Sequence, residues 1–188
     1  MSDLQTSLNG AEFKGPVTIA DTGPRGMITL RGDLAGKKLQ AAVKSAVGLD
    51  VPGVNECAFE GDNGVAWGSP DELFLFCAYD AVDAALEKLH KGLKGQHYLA
   101  AKGSDSRVIL SVRGSQLRDV LGKLTPADLS AEAFGPGTIR RTRLAQIPAA
   151  IWMTEEDAAY VLCFRSVAQY AFDILKAAAG PGSEVGFY

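Results

Sequence analysis

Two stretches of this 188-residue chain resemble each other: WGSPDELFLFC at Trp67–Cys77 and WMTEEDAAYVLC at Trp152–Cys163. In each, a Trp precedes a polar turn and an apolar run that ends in Cys. The tryptophans are 85 residues apart and the cysteines 86, and LRG at 30–32 recurs as VRG at 112–114, 82 residues later. Motifs that recur in order at a nearly constant offset indicate an internal duplication. The duplication predicts two similar folding units.

Hydrophobic periodicity predicts the same order of elements in both halves: strand, helix, strand hairpin, strand, helix. Strands are predicted where β-branched and apolar runs lie between turn residues, and helices where apolar residues recur at helical spacing. Neither half has a sheet that could bury its faces and edges by itself. We therefore predict an α+β fold with two pseudo-symmetric βαββα-type lobes, mixed or antiparallel sheets and outer helices.

The domain boundaries follow from the duplication. We predict a flexible N-terminal arm at residues 1–14, a first repeat lobe at 15–104 and a second repeat lobe at 105–180. Residues 181–188 form a C-terminal tail. A chain of this length can hold two small lobes that share one core.

Three local predictions concern helix starts and one long strand. Asp33 is placed to cap the first helix, and Ser166 the last helix, with Gln169 in the capping-box position. TIRRTRLAQIPAAIWM, residues 138–153, is predicted to be one extended segment that is broken or bulged at Pro148.

Composition excludes several classes of protein. The net charge of −3 gives no electrostatic footprint for nucleic acid or an anionic membrane. No stretch approaches the length of a transmembrane helix, and the N-terminal residues do not read as a signal peptide. The odd count of cysteines, Cys57, Cys77 and Cys163, argues against a disulfide framework, so we interpret them as reduced core residues of a cytoplasmic protein.

Motifs for a cofactor or a metal are weak. The glycines at 180, 182 and 186 follow a predicted helix rather than a strand, so they lack the context of a dinucleotide site. His90 and His97 are the only histidines, and no Cys or carboxylate lies at ligand spacing from either. The two tryptophans are interpreted as core residues rather than cofactor-stacking residues.

Arg140, Arg141 and Arg143 form the most concentrated cluster of charge in the sequence. On an alternating strand, Arg141 and Arg143 point to one side, and Arg140 points to the other. Such a cluster is typical of a solvated or edge-strand face. The alternative is an interface or an anion site, because guanidinium groups suit carboxylates and phosphates.

Several motifs taken together resemble known proteins. DTGPRGMITLRGDLAGKKLQ at 21–40 resembles the N-terminal signature of the aminomethyltransferase (glycine-cleavage T-protein) family, with Asp21, Gly26 and Gly32 at matching positions. WGSPDELFLFC resembles the next block of that family. Together with RRTRLAQIPAAIW and LCFRSVAQYAFDIL, it is similar to the gamma-subunit family of heterotetrameric sarcosine oxidases. The resemblance runs from about Asp21 to Ala179.

This resemblance implies a fold like the aminomethyltransferase folate-binding domain and a non-catalytic subunit. The enzyme would demethylate sarcosine oxidatively to glycine, with production of hydrogen peroxide and of formaldehyde or 5,10-methylenetetrahydrofolate. It implies alpha, beta and delta subunits as partners. FAD, FMN, NAD and tetrahydrofolate are expected in those partners, zinc in the delta subunit, and no cofactor on this chain.

The chain departs from the aminomethyltransferases at two points. Active members carry an Asn shortly before a catalytic Asp near the start of the helix after this block. Asp83 matches the Asp position, but the preceding strand, LFLFCAY, contains no Asn. A further barrel domain that helps to close the folate pocket would not fit within 188 residues. We therefore expect no catalytic residue in this chain.

Two alternatives stay open. A stand-alone folate-binding or aminomethyltransferase-like protein would use Asp21, Arg25 and Asp83 as its candidate folate contacts, with a cavity between the lobes. An interaction module similar to the folate-binding-like iron–sulfur maintenance proteins would need a reactive Cys, whereas the three cysteines lie in apolar strand contexts.

For the structural subunit, the predicted partner-facing residues are arginines and terminal aromatics, which are enriched at interfaces. They are Arg140, Arg141, Arg143, Arg165 and exposed parts of GFY at 186–188.

Overall fold

The computed structural model describes residues 6–183, 185 and 186. In chain order, the elements are β1 (Glu12–Lys14), β2 (Thr18–Asp21), β3 (Gly26–Arg31), α1 (Lys37–Val47), β4 (Cys57–Glu60), β5 (Asn63–Ser69), β6 (Glu72–Cys77), α2 (Val82–Gly92), β7 (Leu99–Lys102), β8 (Arg107–Arg113), α3 (Leu117–Gly122), β9 (Ile139–Leu144), β10 (Ile147–Glu155), β11 (Ala158–Phe164) and α4 (Ala168–Ala178). Short 3₁₀ turns at Tyr79–Ala81 and Arg165–Val167 lead into α2 and α4.

The chain divides into two compact units, residues 25–105 and residues 1–24 with 106–188. The first contains a five-stranded sheet in the order β4-β5-β6-β3-β7, and the second a six-stranded sheet in the order β1-β2-β8-β11-β10-β9. Each strand pairs antiparallel to its neighbours, and each unit adds two helices. The predicted α+β fold with two similar lobes is confirmed, and both sheets are antiparallel.

In the unit 25–105, helices α1 and α2 cover one face of the sheet. Their apolar residues recur three or four positions apart, so that one stripe on each helix is buried. The helix residues in this core are Leu39, Ala42, Val43, Val47, Val82, Ala85 and Leu89. They share a cluster with the strand residues Ile28, Leu30, Val65, Leu73, Leu75 and Cys77.

The second unit repeats this arrangement with α3 and α4. Leu117, Val120 and Leu121 of α3 and Phe172 and Leu175 of α4 join the apolar residues of one sheet face in a single buried cluster. Burial of these side chains on one face stabilises both helices, because short helices are marginal by themselves in water.

The strand registers show which residues of the two units correspond to each other. Leu30 pairs with Leu73 in one unit, and Val112 pairs with Ala159 in the other. The correspondence still holds two residues further on, because the Gly32 N–H donates to the carbonyl of Asp71 and the Gly114 N–H to that of Asp157, both at 2.9 Å. Corresponding residues are therefore 82 positions apart between β3 and β8, and 86 positions apart between β6 and β11.

The two tryptophans are not equivalent, contrary to the sequence-based prediction. A bulge follows Trp67 in β5 and Met153 in β10, so that Trp67 corresponds to Met153. Trp152 is one residue earlier and lies on the opposite face of its sheet, because successive strand residues alternate. It is 2% exposed and stacks on Tyr160, whereas Trp67 is only half-buried.

The N-terminal segment differs from the predicted flexible arm and first-lobe boundary. Residues 12–14 form β1, and Leu8 is buried in the core of the second unit. Strand β2 pairs with β8, at the position where β7 pairs with β3 in the other unit. Residues 6–24 thus belong with the second half, because β8 would otherwise be an edge strand with unpaired backbone groups.

Local differences have simple causes. Residues 138–153 form the β9–β10 hairpin, which turns at Ala145 with φ of 50°, and not one extended segment. Asp33 accepts a hydrogen bond from the Ala35 N–H in a turn before α1 rather than capping it, and Gln169 bonds Asp173. The predicted tail includes residues 184, 187 and 188, which lie outside the described residues.

Candidate functional site

Asp21, the first candidate folate contact, ends strand β2. Its carboxylate accepts hydrogen bonds from the Thr6 hydroxyl, from the Gly10 N–H at 3.2 Å and from the Gly23 N–H at 3.1 Å. The Asp21 N–H also donates to the carbonyl of Ala11. Asp21 therefore holds the N-terminal loop against β2, and its acceptor sites are used within its own unit.

Arg25, the second candidate, holds the turn of the β4–β5 hairpin. Its Nη1 donates to Asp62 Oδ1 at 2.9 Å, and its Nη2 donates to the carbonyls of Gly61 and Asp62 at 3.2 and 2.8 Å. A guanidinium group presents its donors in a fixed fork, which suits this combination of carboxylate and carbonyls. The sequence offered no signal for this contact, because Arg25 and Asp62 are far apart along the chain.

Asp83, the third candidate, lies in the first turn of α2 and is exposed. Lys102 Nζ of β7 donates to its two carboxylate oxygens at 2.9 and 3.1 Å. This hydrogen bond raises the pKa of Lys102 above its ordinary value. The Asp83 carboxylate is thus paired with a lysine of its own unit.

The three arginines of β9 lie on the edge strand of the six-stranded sheet. Arg141 and Arg143 are exposed, and Arg143 Nη2 donates to Gln146 Oε1 at 3.1 Å. Arg140 lies on the other side, where it donates to the carbonyls of Ile139 and Ala133. The predicted alternation is observed, and only Arg141 and Arg143 offer their side chains to the outside.

Arg165 lies next to an exposed aromatic side chain that the sequence analysis missed. It follows Phe164, the last residue of β11, which is 41% exposed. The Arg107 guanidinium lies 3.8 Å from the centroid of the Phe164 ring, at cation–π distance. Because Arg107 and Phe164 are register partners across two strands, only the observed pairing of β8 with β11 could reveal this contact.

The three cysteines are free and buried, as predicted. Burial raises the pKa of Cys57 to about 12 and that of Cys163 to about 11, and it raises the pKa of Cys77 as well. A thiol with a raised pKa is a poor nucleophile, because the thiolate is the reactive form. This geometry does not supply the reactive Cys of the iron–sulfur maintenance hypothesis.

Among residues 6–183, 185 and 186, no group of three or more His, Cys, Asp or Glu side chains converges as a metal site. No described helix is long and apolar enough to cross a membrane.

Two solved structures are similar to this chain over most of its length. A heterotetrameric sarcosine oxidase from Corynebacterium sp. U-96, in complex with pyrrole 2-carboxylate, contains a chain that matches with a TM-score of 0.82 and 28% identity, over 94% of this chain and 91% of that chain. The glycine cleavage system aminomethyltransferase T from Bartonella henselae matches with a TM-score of 0.60 and 16% identity, over 82% of this chain and 44% of that one. The second likeness concerns the fold alone.

Sequence comparisons give the same family. The gamma subunit of sarcosine oxidase from Corynebacterium sp. strain U-96 is 31% identical over 85% of this chain and 78% of its own length. That from strain P-1 is 37% identical over 65% of this chain, and the match spans only 60% of the relative. The model of the sarcosine oxidase, gamma subunit family matches residues 31–180. The chain therefore belongs to the sarcosine oxidase gamma subunit family.

Proposed function

We propose that the chain is the gamma subunit of a heterotetrameric sarcosine oxidase, in which it has a structural role. The match of fold and sequence to a chain of that complex, over 94% of this chain, carries the proposal. Its partners would be the alpha, beta and delta subunits, in a cytoplasmic complex. The complex would convert sarcosine into glycine and produce hydrogen peroxide and formaldehyde or 5,10-methylenetetrahydrofolate.

In this proposal the chain binds no cofactor, and FAD, FMN, NAD and tetrahydrofolate belong to the partner subunits. The engagement of Asp21, Arg25 and Asp83 with neighbouring groups of the chain supports this division. Calorimetry of the isolated chain with tetrahydrofolate tests it. We expect no heat of binding; saturable heat would favour the stand-alone folate-binding alternative.

Co-expression tests the subunit role. The chain is expressed with the alpha, beta and delta subunits from the same genome, purified by a tag on the alpha subunit and separated by size. We expect the chain to co-elute with the other three and with sarcosine-dependent production of hydrogen peroxide. The matched control omits the chain. Elution of the chain apart from the three subunits would refute the proposal.

We also propose that Arg141, Arg143 and Arg165 contribute to the partner-facing surface. All three are exposed, and Arg165 adjoins the exposed ring of Phe164. Arg140 would position the edge strand instead, through its carbonyl contacts. The double variant Arg141→Ala/Arg143→Ala should reduce recovery of the chain in the complex, whereas Lys14→Ala should not. Equal recovery of both variants would remove this surface from the proposal.

A further inference from the structure

A groove of about 520 Å³ lies between the helices α1 and α2. Its lining residues are Lys38, Ala41, Ala42, Ser45, Lys88, Lys91 and Gly92. The helices approach each other closely at its floor, where a Cβ atom on Gly92 would lie 2.9 Å from the Cβ of Ala42. Small residues thus form the floor and lysines the walls, and no carboxylate lines the groove.

The three lysines of the groove have no intramolecular partner within the part of the chain that the structure describes. Two of the four other lysines of the same unit are paired. Lys44 pairs with Asp50 at 2.9 Å, and Lys102 with Asp83 at the same distance. The groove therefore concentrates three ammonium groups whose donors are satisfied only by solvent.

The second unit of the chain, which contains α3 and α4, provides an internal comparison. Its helices α3 and α4 correspond to α1 and α2, and their neighbouring cations are all engaged. Arg118 donates to the carbonyls of Leu129 and Phe134 at 2.6 Å, and Lys123 donates to that of Ala178 at 2.8 Å. Lys176 Nζ lies 5.9 Å from the ring centroid of Phe13. Unpartnered cations are therefore not a general property of this helix pair.

The charge of the groove is opposite to that of the whole chain. Residues 37–47 and 82–94 contain six lysines against Asp83 and Glu87, whereas the chain carries a net charge of −3. A local positive surface on an acidic protein attracts a negatively charged partner segment and disfavours a long polyanion, which the rest of the molecule repels.

We propose that this groove binds an acidic segment of a partner subunit, through contacts between Asp or Glu carboxylates and Lys38, Lys88 and Lys91. The proposal rests on the proposed function, because it assigns a partner surface within the oxidase complex. The small floor residues let the backbone of the segment approach the helices. The three flexible ammonium groups then donate to its carboxylates from both walls.

The test measures the Kd of the full chain for the co-expressed alpha, beta and delta subunits at low and high salt. Lys88→Gln/Lys91→Gln should raise the low-salt Kd about tenfold, since each exposed charge contact contributes up to about 1 kcal/mol. The difference should disappear at high salt, because screening removes it. Lys88→Arg/Lys91→Arg keeps the charge and should bind within about twofold of the wild type.

Lys14→Gln/Lys176→Gln is the matched control, because it removes two exposed lysines outside the groove. An unchanged Kd in the groove variant, or an equal loss in the control, would overturn the groove proposal while the subunit role stands. Failure of the wild-type chain to bind would instead refute the subunit role. A groove variant that loses only self-association or bound nucleic acid, with an unchanged Kd for the subunits, would also overturn the proposal.

Discussion

At the scale of single residues, burial controls the chemistry of the cysteines. The pKa of Cys57 is raised to about 12, chiefly by burial and then by the nearby Glu56 carboxylate. The folded state therefore retains the thiol proton at pH values where an unfolded thiol, with a pKa of 9.0, has lost it. Stability from this residue is fully present below pH 9 and is lost as the pH rises from there towards 12.

We therefore predict that the free energy of unfolding falls by about 2 kcal/mol between about pH 8 and pH 10.5 because of Cys57 alone. In Cys57→Ala, urea denaturation at the two pH values should show a decrease that is smaller by this amount. Val65→Ala, a truncation in the neighbouring strand, should lower stability without altering its pH dependence. An unaltered pH dependence in Cys57→Ala would contradict the prediction.

The sequence did not show that the two tryptophans occupy different positions in their strands. The offset of 86 between Cys77 and Cys163 is the structural one, whereas the offset of 85 between the tryptophans is not. A difference of one residue changes the face of a strand, so identical residue types can occupy opposite environments. Strand pairing decides between the two offsets, and pairing is not visible in the order of residues.

At the scale of elements, the contact between α1 and α2 depends on the absence of a side chain at Gly92. Gly92→Ala would bring its Cβ to 2.9 Å from that of Ala42, which has no rotamer through which to move away. We predict a net loss of about 1 kcal/mol, because overpacking outweighs the gain in helix propensity.

An Ala42→Gly background completes the mutant cycle, measured by urea denaturation. There the same Gly92→Ala change should be neutral or stabilising, since the clashing methyl group is gone. Equal effects in both backgrounds would show that the helices move apart without cost.

Local patterns predicted the existence of most elements but not every boundary. The apolar stripes of α1, α2 and α4 were visible because they recur at helical spacing. The turn between β9 and β10 was predicted at the wrong place, because Ala145 adopts a positive φ without a Gly or Asn to signal it. Strand β7 was missed because LAAK, at Leu99–Lys102, has little β-propensity.

At the scale of the whole molecule, the unit with the six-stranded sheet is assembled from two distant parts of the sequence. Deletion of residues 1–24 would remove β1 and β2, including Ile19, which is fully buried. We predict that amides of β8 and β11 lose protection from hydrogen exchange in this truncated chain. Amides of β6 should keep theirs, because β6 lies between β5 and β3 in the other unit.

Exchange measured by mass spectrometry on the full and truncated chains would test this. Equal loss of protection in β6 and β8 would show that the two units unfold together, and no loss in either would show that β2 is dispensable.

The family could be predicted from ordered motifs, whereas the candidate site residues needed coordinates. The polar partners of Arg25 and Asp83 come from the β4–β5 turn and from β7, and no sequence pattern links those segments. The lysines of the groove belong to two helices whose contact likewise depends on tertiary packing.

The pairing of β2 with β8 also has a consequence for synthesis on the ribosome. Asp21 is translated 89 positions before its partner Leu110, and the whole unit 25–105 emerges between them. Throughout that interval the nascent β2 has no β8 to join, while β3 already presents the edge that β7 will later occupy. Until β7 has been translated, that edge of β3 is open to β2, and we expect pairing of β2 with β3 to be the main competing error during synthesis.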